Sequence, residues 1–306
     1  MKLAVTGTGG QVARALIERG AAFGVEVVPV GRPVLDLLNP ATVRDALAGA
    51  GADAVVSAAA YTAVDGAETD RRKAQAVNEH GAQAVALAAR ELGVPLVHLS
   101  TDYVFGADAG GPHAEDAPTA PAGVYGATKL AGERAVLAAH GGDSAILRTA
   151  WVYSPFGGNF VKTMLRLARE RDEVGVVADQ FGNPTSALDI ADGVIAVARN
   201  LIADPDPRLR GVFHMTGRGE GSWADLAKAV FDLSDEMGGP CAQVRAIPTS
   251  TYPTVARRPA DSRLDCAHIA AVHGVALPPW RTSLRGVVQR LVARHHSLNQ
   301  LAGACS

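Results

Sequence analysis

Short β-branched runs alternate with longer helix-like stretches through the first half of this chain, and that alternation constrains the fold more than any other feature. The runs at Lys2–Thr6, Glu26–Val30, Ala54–Ser57, 96–100 and 145–149 are largely continuous in apolar residues rather than alternating. A strand apolar on both faces must be buried on both, which a parallel sheet covered by helices on either side provides. Between the runs, residues 12–19, 41–48 and 125–139 carry apolar positions at helical spacing,. Asn39-Pro40 puts a capping side chain ahead of a proline at the first helical position,. The expected class is α/β, a doubly wound, Rossmann-like parallel sheet.

After Trp151 the pattern loosens. The glycine loop Phe156-Gly157-Gly158-Asn159 leads to a helix at 161–169, a strand at Glu173–Val177 and a loop at 179–185. A helix at 188–201 runs into Asp204-Pro205-Asp206-Pro207, which must end it,. A strand at 211–215, a helix at 223–237, the strand Gln243–Ile247, an irregular segment at 248–264 and a last helix at 284–293 complete the chain. At 306 residues the chain exceeds the roughly 250–300 at which single cores stop growing,. We therefore expect a first domain of residues 1–150 plus roughly 186–213. Residues 151–185 and 214–306 form a smaller C-terminal α/β lobe interleaved with it.

Composition narrows the function. The net charge is −2 with lysine and arginine scattered, so there is no electrostatic footprint for nucleic acid or a membrane surface,. The local group Arg257, Arg258 and Arg263 suits a small anion. Three cysteines, Cys241, Cys266 and Cys305, make neither a disulfide framework nor a paired metal-ligand spacing,. That usage, with no signal-peptide pattern and no apolar run of about 18 residues, leads us to expect a cytoplasmic protein. His98 reads as a satisfied buried imidazole, His295-His296 as a solvated helix end, and Asp70, near Asp65 and Glu68, as a helix cap. No metal site is expected.

The first strand runs directly into Thr6-Gly7-Thr8-Gly9-Gly10-Gln11-Val12-Ala13. A dinucleotide pyrophosphate needs free backbone N–H groups at a helix N-terminus and no side chains in the way. Gly7 and Gly10 supply the clearance, and Ala13 is small enough for the helix to pack on the strand. About 20 residues further on, an acid would bind the ribose 2′-hydroxyl of NAD. Val30-Gly31-Arg32 offers a guanidinium instead, which favours the 2′-phosphate of NADPH, with NADH still open.

Tyr125 and Lys129 stand four apart and share a helix face, in Tyr125-Gly126-Ala127-Thr128-Lys129,. A phenol near pKa ~10 transfers protons poorly at neutral pH, and an adjacent ammonium would lower it. Thr101, at the end of the run Leu96-Val97-His98-Leu99-Ser100-Thr101, can polarise a carbonyl oxygen. In a reduction, Tyr125 is then the general acid. A tyrosine and lysine at this spacing are common on ordinary helices; the glycine turn and strand-end threonine make them a catalytic set.

These residues, with Ala58-Ala59-Ala60-Tyr61-Thr62-Ala63-Val64-Asp65, Ser100-Thr101-Asp102-Tyr103-Val104-Phe105, Asp179-Gln180-Phe181-Gly182-Asn183-Pro184-Thr185 and Arg258-Pro259-Ala260-Asp261-Ser262-Arg263-Leu264, resemble the dTDP-4-dehydrorhamnose reductase family of the extended short-chain dehydrogenase/reductases. The resemblance implies reduction of the C4 ketone of a dTDP-4-keto-6-deoxy-L-hexulose to dTDP-L-rhamnose. It implies that Thr101, Tyr125 and Lys129 are catalytic. Gly7, Gly9, Gly10, Gln11, Val12, Arg32, Asp36, Leu37, Ala59, Ala60 and Thr62, with Tyr125 and Lys129, would hold the cofactor. Asp102, Tyr103 and Trp151 would face the sugar and Arg258 the phosphates; a core role competes for Trp151. Some members bind Mg²⁺ at a dimer interface through a glutamate where Ala15 stands here, so the protein could be a monomer or a homodimer.

Three alternatives stay open on sequence grounds. A sibling deoxysugar reductase, of the dTDP-dihydrostreptose type, would show nearly the same motifs. A nucleotide-sugar dehydratase or epimerase would share the fold, but dehydratases place an Asp-Glu pair where this chain has Asp102-Tyr103. A non-catalytic regulatory subunit would have no physical need for the proton-transfer triad.

Overall fold

The computed structural model describes residues 1–106 and 110–303, with side chains as far as residue 294. His295, His296 and Cys305 lie outside the described side chains. The elements in chain order are β1 (Lys2–Thr6), α1 (Gln11–Ala22), β2 (Glu26–Val30), α2 (Val43–Ala50), β3 (Ala54–Ser57), α3 (Val64–Thr69), α4 (Arg71–Gln75), α5 (Ala82–Leu92), β4 (Leu96–Thr101), α6 (Val124–His140), β5 (Ser144–Thr149) and β6 (Val152–Tyr153). There follow α7 (Phe160–Leu167), β7 (Glu173–Val177), β8 (Phe181–Gly182), β9 (Thr185–Ser186), α8 (Ala187–Ala203), β10 (Gly211–His214), β11 (Gly221–Ser222), α9 (Trp223–Glu236), β12 (Gln243–Ile247), α10 (Ala267–His273) and α11 (Trp280–Gly303).

Six strands form one sheet in the order β10-β5-β4-β3-β1-β2, every pair parallel. β3, β4 and β5 are buried along their whole length, as strands covered on both faces must be,. One face packs on α1, α8 and α10 around Leu16, Ile190, Val194 and Phe213. The other packs on α2, α5 and α6 around Leu47, Val85, Leu96 and Val136. A separate core, with Val161, Val176, Phe231 and Leu284, joins the parallel pair β7 and β12 to α7, α9 and α11. The order in which strands are added across the sheet reverses between β1 and β3, so the crevice at the strands' C-terminal ends opens there, bordered by Thr6, Ser57, Thr101 and Thr149,.

Several local expectations change. Asn39 precedes only a short 3-10 turn and its side chain caps nothing; Thr42 Oγ1 instead donates to Asn39 O and accepts from Asp36 N. Asp70 occupies the N-cap position of α4 without a side-chain bond; its φ −122 and ψ 55 break the helical run between α3 and α4 outside the extended range an N-cap uses,. The last helix starts at Trp280, earlier than its apolar periodicity indicates. Helix α10 is a short element that the sequence pattern misses, because it buries only Ile269 and His273. Between α4 and α5 the helix widens to a π turn at Ala76–Gly81, a feature that carries no apolar signature,.

That π turn and α6 approach each other closely. A Cβ on Gly132 would stand 2.1 Å from Asn78 O, and one on Gly126 2.1 Å from Tyr103 O. Both neighbours are backbone atoms and cannot swing aside. Gly126→Ala should therefore lower stability by about 1–3 kcal/mol, as overpacking does, and displace Tyr125; a thermal melt of the variant checks the first and its turnover the second.

Candidate active site

The glycine turn has the geometry that a pyrophosphate requires. Gly7 adopts φ +92, a conformation open to glycine, and its N–H donates to Val30 O,. A Cβ at Gly9 or Gly10 would meet nothing within 4 Å, so the ground above the turn is clear. Gly10 caps α1 without any side-chain bond, which leaves the helix's first N–H groups for a ligand,. The Thr6 hydroxyl accepts from Ala58 N and Ala59 N, both at 3.0 Å, and ties the end of β1 to the chain leaving β3. Gln11 faces the other way: its Oε1 accepts from Ser154 Oγ at 2.7 Å and Asn159 Nδ2 at 3.1 Å, and its Nε2 donates to Val152 O. Val12 packs partly buried against the core and Ala13 is fully packed.

Arg32 is exposed at the rim, without a carboxylate partner among the described residues. A free guanidinium there fits a 2′-phosphate. Asp36 Oδ1 accepts from Leu38 N, and Leu37 is buried in the core beside Gly81. Ala59 and Ala60 are partly exposed and Thr62 fully so, beyond the end of β3. Ala15, by contrast, is completely buried, and its methyl offers no metal ligand. No group of three metal-ligating side chains occurs among the described residues.

Thr101, Tyr125 and Lys129 converge at the end of β4. Thr101 Oγ1 donates to Asp102 Oδ1 at 3.0 Å and accepts from Tyr103 N at 3.2 Å. The same hydroxyl draws the Tyr125 phenol's pKa down, against a larger upward push from burial. Tyr125 keeps part of its side chain at the surface, and the Tyr103 ring meets it edge-on at 5.6 Å. The sequence implied that Lys129 lowers the phenol's pKa; the structure corrects this. Burial raises it, Thr101 draws it partly back, and the Lys129 ammonium is committed elsewhere, donating to Leu99 O at 2.7 Å. Burial also lowers Lys129 to about 8, against a smaller opposing pull from Glu133. His98 lies 3.5 Å from Lys129 Nζ, but its Nδ1 has no partner, so it is not the satisfied imidazole expected.

Residues the sequence reading passed over hold this triad in place. Glu68 Oε1 accepts from Val124 N at 2.7 Å and so caps α6, whose own N-cap, Gly123, has no side chain to do it,. Asn78, on the π turn, bonds both backbone groups of Tyr61 and the Thr128 hydroxyl. Glu133, one turn beyond Lys129, accepts from Ser100 Oγ at 2.5 Å and from Arg148 Nε and Nη2 at 3.0 and 2.8 Å. Arg148 lies over the Phe105 ring. Ser100, Glu133 and Arg148, from β4, α6 and β5, form a buried, fully bonded cluster beneath the site.

The sugar-facing candidates divide. Asp102 is buried, with Oδ2 unpartnered, and desolvation lifts its pKa to about 6. Trp151 stacks flat on Trp223 at 3.6 Å and lies under Gly182, where a Cβ would come within 2.5 Å of the indole. Its φ of +47 is a left-handed conformation that costs a non-glycine residue energy and marks the turn out of β5 as over-determined by its packing,. Tyr103 Oη accepts from Arg258 Nη1 at 3.1 Å, and Arg258 Nη2 donates to Asp65 Oδ2 at 2.7 Å. Arg263 is not available to an anion, contrary to the sequence reading, because Asp261 and Glu220 engage it.

The chain is similar to proteins of known sequence and structure. A family model described as RmlD substrate binding domain matches residues 1–293. A dTDP-4-dehydrorhamnose reductase of Sinorhizobium fredii is 50% identical over 292 residues, 95% of this chain and 98% of that protein. The crystal structure of a dTDP-4-dehydrorhamnose reductase from Clostridium acetobutylicum superposes with a TM-score of 0.87 at 35% identity, covering 95% of this chain and 99% of the other. One from Bacillus anthracis, solved in complex with NADP, superposes at 0.86 with 32% identity, covering 94% and 98%.

The Asp102 carboxyl makes a stability prediction with a definite sign. Its folded pKa of about 6 lies above the usual 3.8, so the folded state holds the proton more tightly than the unfolded. The benefit is complete below pH 3.8 and is lost as pH rises through about 6, which is a cost of roughly 3 kcal/mol at neutral pH,. Asp102→Asn should melt higher than the parent protein at pH 7.5, and the gain should vanish near pH 4; equal gains at both pH values would contradict it.

Proposed function

Since the chain belongs to the RmlD substrate binding domain family, we propose that it reduces the C4 ketone of a dTDP-4-keto-6-deoxy-L-hexulose with NADPH, giving dTDP-L-rhamnose. It is an oxidoreductase. The observation that carries the reading is the convergence of Thr101, Tyr125 and Lys129 at the crevice beside an uncapped glycine turn. NADPH supplies the hydride. Gly7, Gly9, Gly10, Gln11 and Val12 would hold its pyrophosphate, Arg32 its 2′-phosphate, and Asp36, Leu37, Ala59, Ala60 and Thr62 the walls of its cleft. We assign this to a dinucleotide-binding domain of residues 1–150 and roughly 186–213, with the sugar nucleotide on residues 151–185 and 214–306.

Tyr125 starts as a neutral phenol, since burial keeps its proton on. That is the correct state for a general acid: it gives the proton to the carbonyl oxygen as the carbon is reduced. The Thr101 hydroxyl, by turning its one proton from Asp102 to the phenol oxygen, stabilises the phenolate left behind, and the Lys129 charge, one helical turn away, does so at longer range. Asp102, Tyr103, Trp151 and Arg258 are assigned to the substrate; Trp151 is half-buried, with one ring face covered by Trp223. Asp102 is followed by Tyr103, so the second carboxylate that a dehydratase needs at this place is missing. No described helix is long and apolar enough to cross a membrane, and we assign the protein to the cytoplasm.

Oxidation of NADPH followed by absorbance, with the dTDP-ketosugar as acceptor and the product identified, tests the whole reading. Tyr125→Phe should lower kcat by about 10²–10⁴-fold with little change in KM, as loss of a general acid does. The pH profile tests Lys129 separately. With its pKa near 8, the ammonium is lost as pH rises, so kcat/KM should fall above about pH 8,. Lys129→Arg, which stays charged, should lower the rate but remove that limb. An unchanged limb would assign it to another group.

A further inference from the structure

Arg258 has two partners within the chain. Its Nη2 donates to Asp65 Oδ2 at 2.7 Å and its Nη1 to Tyr103 Oη at 3.1 Å, while Asp65 Oδ1 accepts from Ala256 N at 3.0 Å. Asp65 comes from the first turn of α3, in the dinucleotide-binding half; Arg258 comes from the irregular segment after β12. This segment is a strap held at both ends. Asp179 takes the N–H and hydroxyl of Thr249 at its start, and Phe181 exchanges backbone bonds with Ala260 and Ser262 at its finish. Between these anchors Tyr252 and Val255 stand exposed, and the Asp65 carboxylate ties the middle down.

The two partners of the guanidinium differ in character. Tyr103 is fixed at its backbone: its carbonyl packs under Gly126, and its N–H bonds the catalytic Thr101. Asp65 is a carboxylate on a surface helix, its side chain 44% exposed against 22% for Arg258, so it can be solvated once released. An exposed acid–arginine pair is weak, and a diphosphate offers the same fork more charge and more acceptor oxygens.

We propose that Asp65 is an internal competitor for Arg258, holding the strap shut until the diphosphate of the nucleotide sugar takes the guanidinium from it. This rests on the assignment of Arg258 to the phosphates. It makes Asp65 a specificity residue: a ligand with a diphosphate can compensate for the broken ion pair, whereas one without it never engages Arg258. Tyr103 keeps its bond to Arg258 through the exchange, so the strap's movement is felt beside Thr101 and Tyr125.

Calorimetric titration with dTDP and with thymidine tests this. Asp65→Asn keeps the shape and the acceptor for Ala256 N but removes the charge. It should bind dTDP about tenfold more tightly than the parent protein and thymidine equally well. Unchanged or weaker dTDP binding by a folded Asp65→Asn protein overturns the proposal. Should that variant not fold, a structure of the parent protein with dTDP decides: Arg258 Nη2 should stand beyond 4 Å from Asp65, and persistence of the 2.7 Å contact overturns the proposal. Arg258→Gln separates the two levels. If it binds dTDP as well as the parent does, the phosphate assignment itself fails; if it loses affinity while Asp65→Asn gains none, only the competition is wrong.

Discussion

The chemistry of this protein depends on how closely α6 can lie against the end of β4 and the π turn. Tyr125 and Lys129 reach Thr101 and Leu99 only because Gly126 and Gly132 let backbone meet backbone, with no room for even one extra carbon. What fixes the helix there is polar and buried. Glu133, Arg148 and Ser100 form a cluster in which each charge has its partner, Asn78 clamps the turn above it, and Glu68 closes the helix end. Removing one member of such a buried pair costs about 3–5 kcal/mol, far more than the pair's net contribution, so the cluster enforces an arrangement rather than simply adding stability.

Burial then sets the protonation states. The same desolvation keeps Tyr125 protonated, brings Lys129 down to about 8, holds His98 neutral and lifts Asp102 to about 6. In the proposed reduction, an acid that gives up its proton only when a ketone arrives benefits from starting neutral. Thr101 stands between two of these groups, donating to Asp102 and drawing the phenol's pKa partly back down. Such a site stores unfavourable energy in Asp102 and in the left-handed Trp151, as functional sites often do,.

The central sheet was legible in the sequence to within a residue at most strand ends, because a strand buried on both faces has to be written as an unbroken apolar run. The glycine turn was legible for a similar reason: its conformation and clearance admit few other residues. Helices that bury little, such as α10, and the π turn were not, since neither imposes a periodicity. Asp70 and Asn39 read as caps by residue type, yet a cap needs a free helix end in the right geometry, and neither has one.

The amino-acid sequence by itself determined the parallel sheet and the glycine turn and pointed to Thr101, Tyr125 and Lys129 as candidate reactive groups, since each signal is local: a run, a turn, a strand end, a pair four residues apart on one helix. Only the tertiary structure decided which way the phenol's pKa moves, that Lys129 is held by Leu99 instead of by Tyr125, that Arg263 is spent on acids of its own lobe, and that Asp65 reaches Arg258 across the cleft. Those depend on burial and on partners far away in the chain, and pKa values follow the surroundings of a group more than its neighbours in sequence.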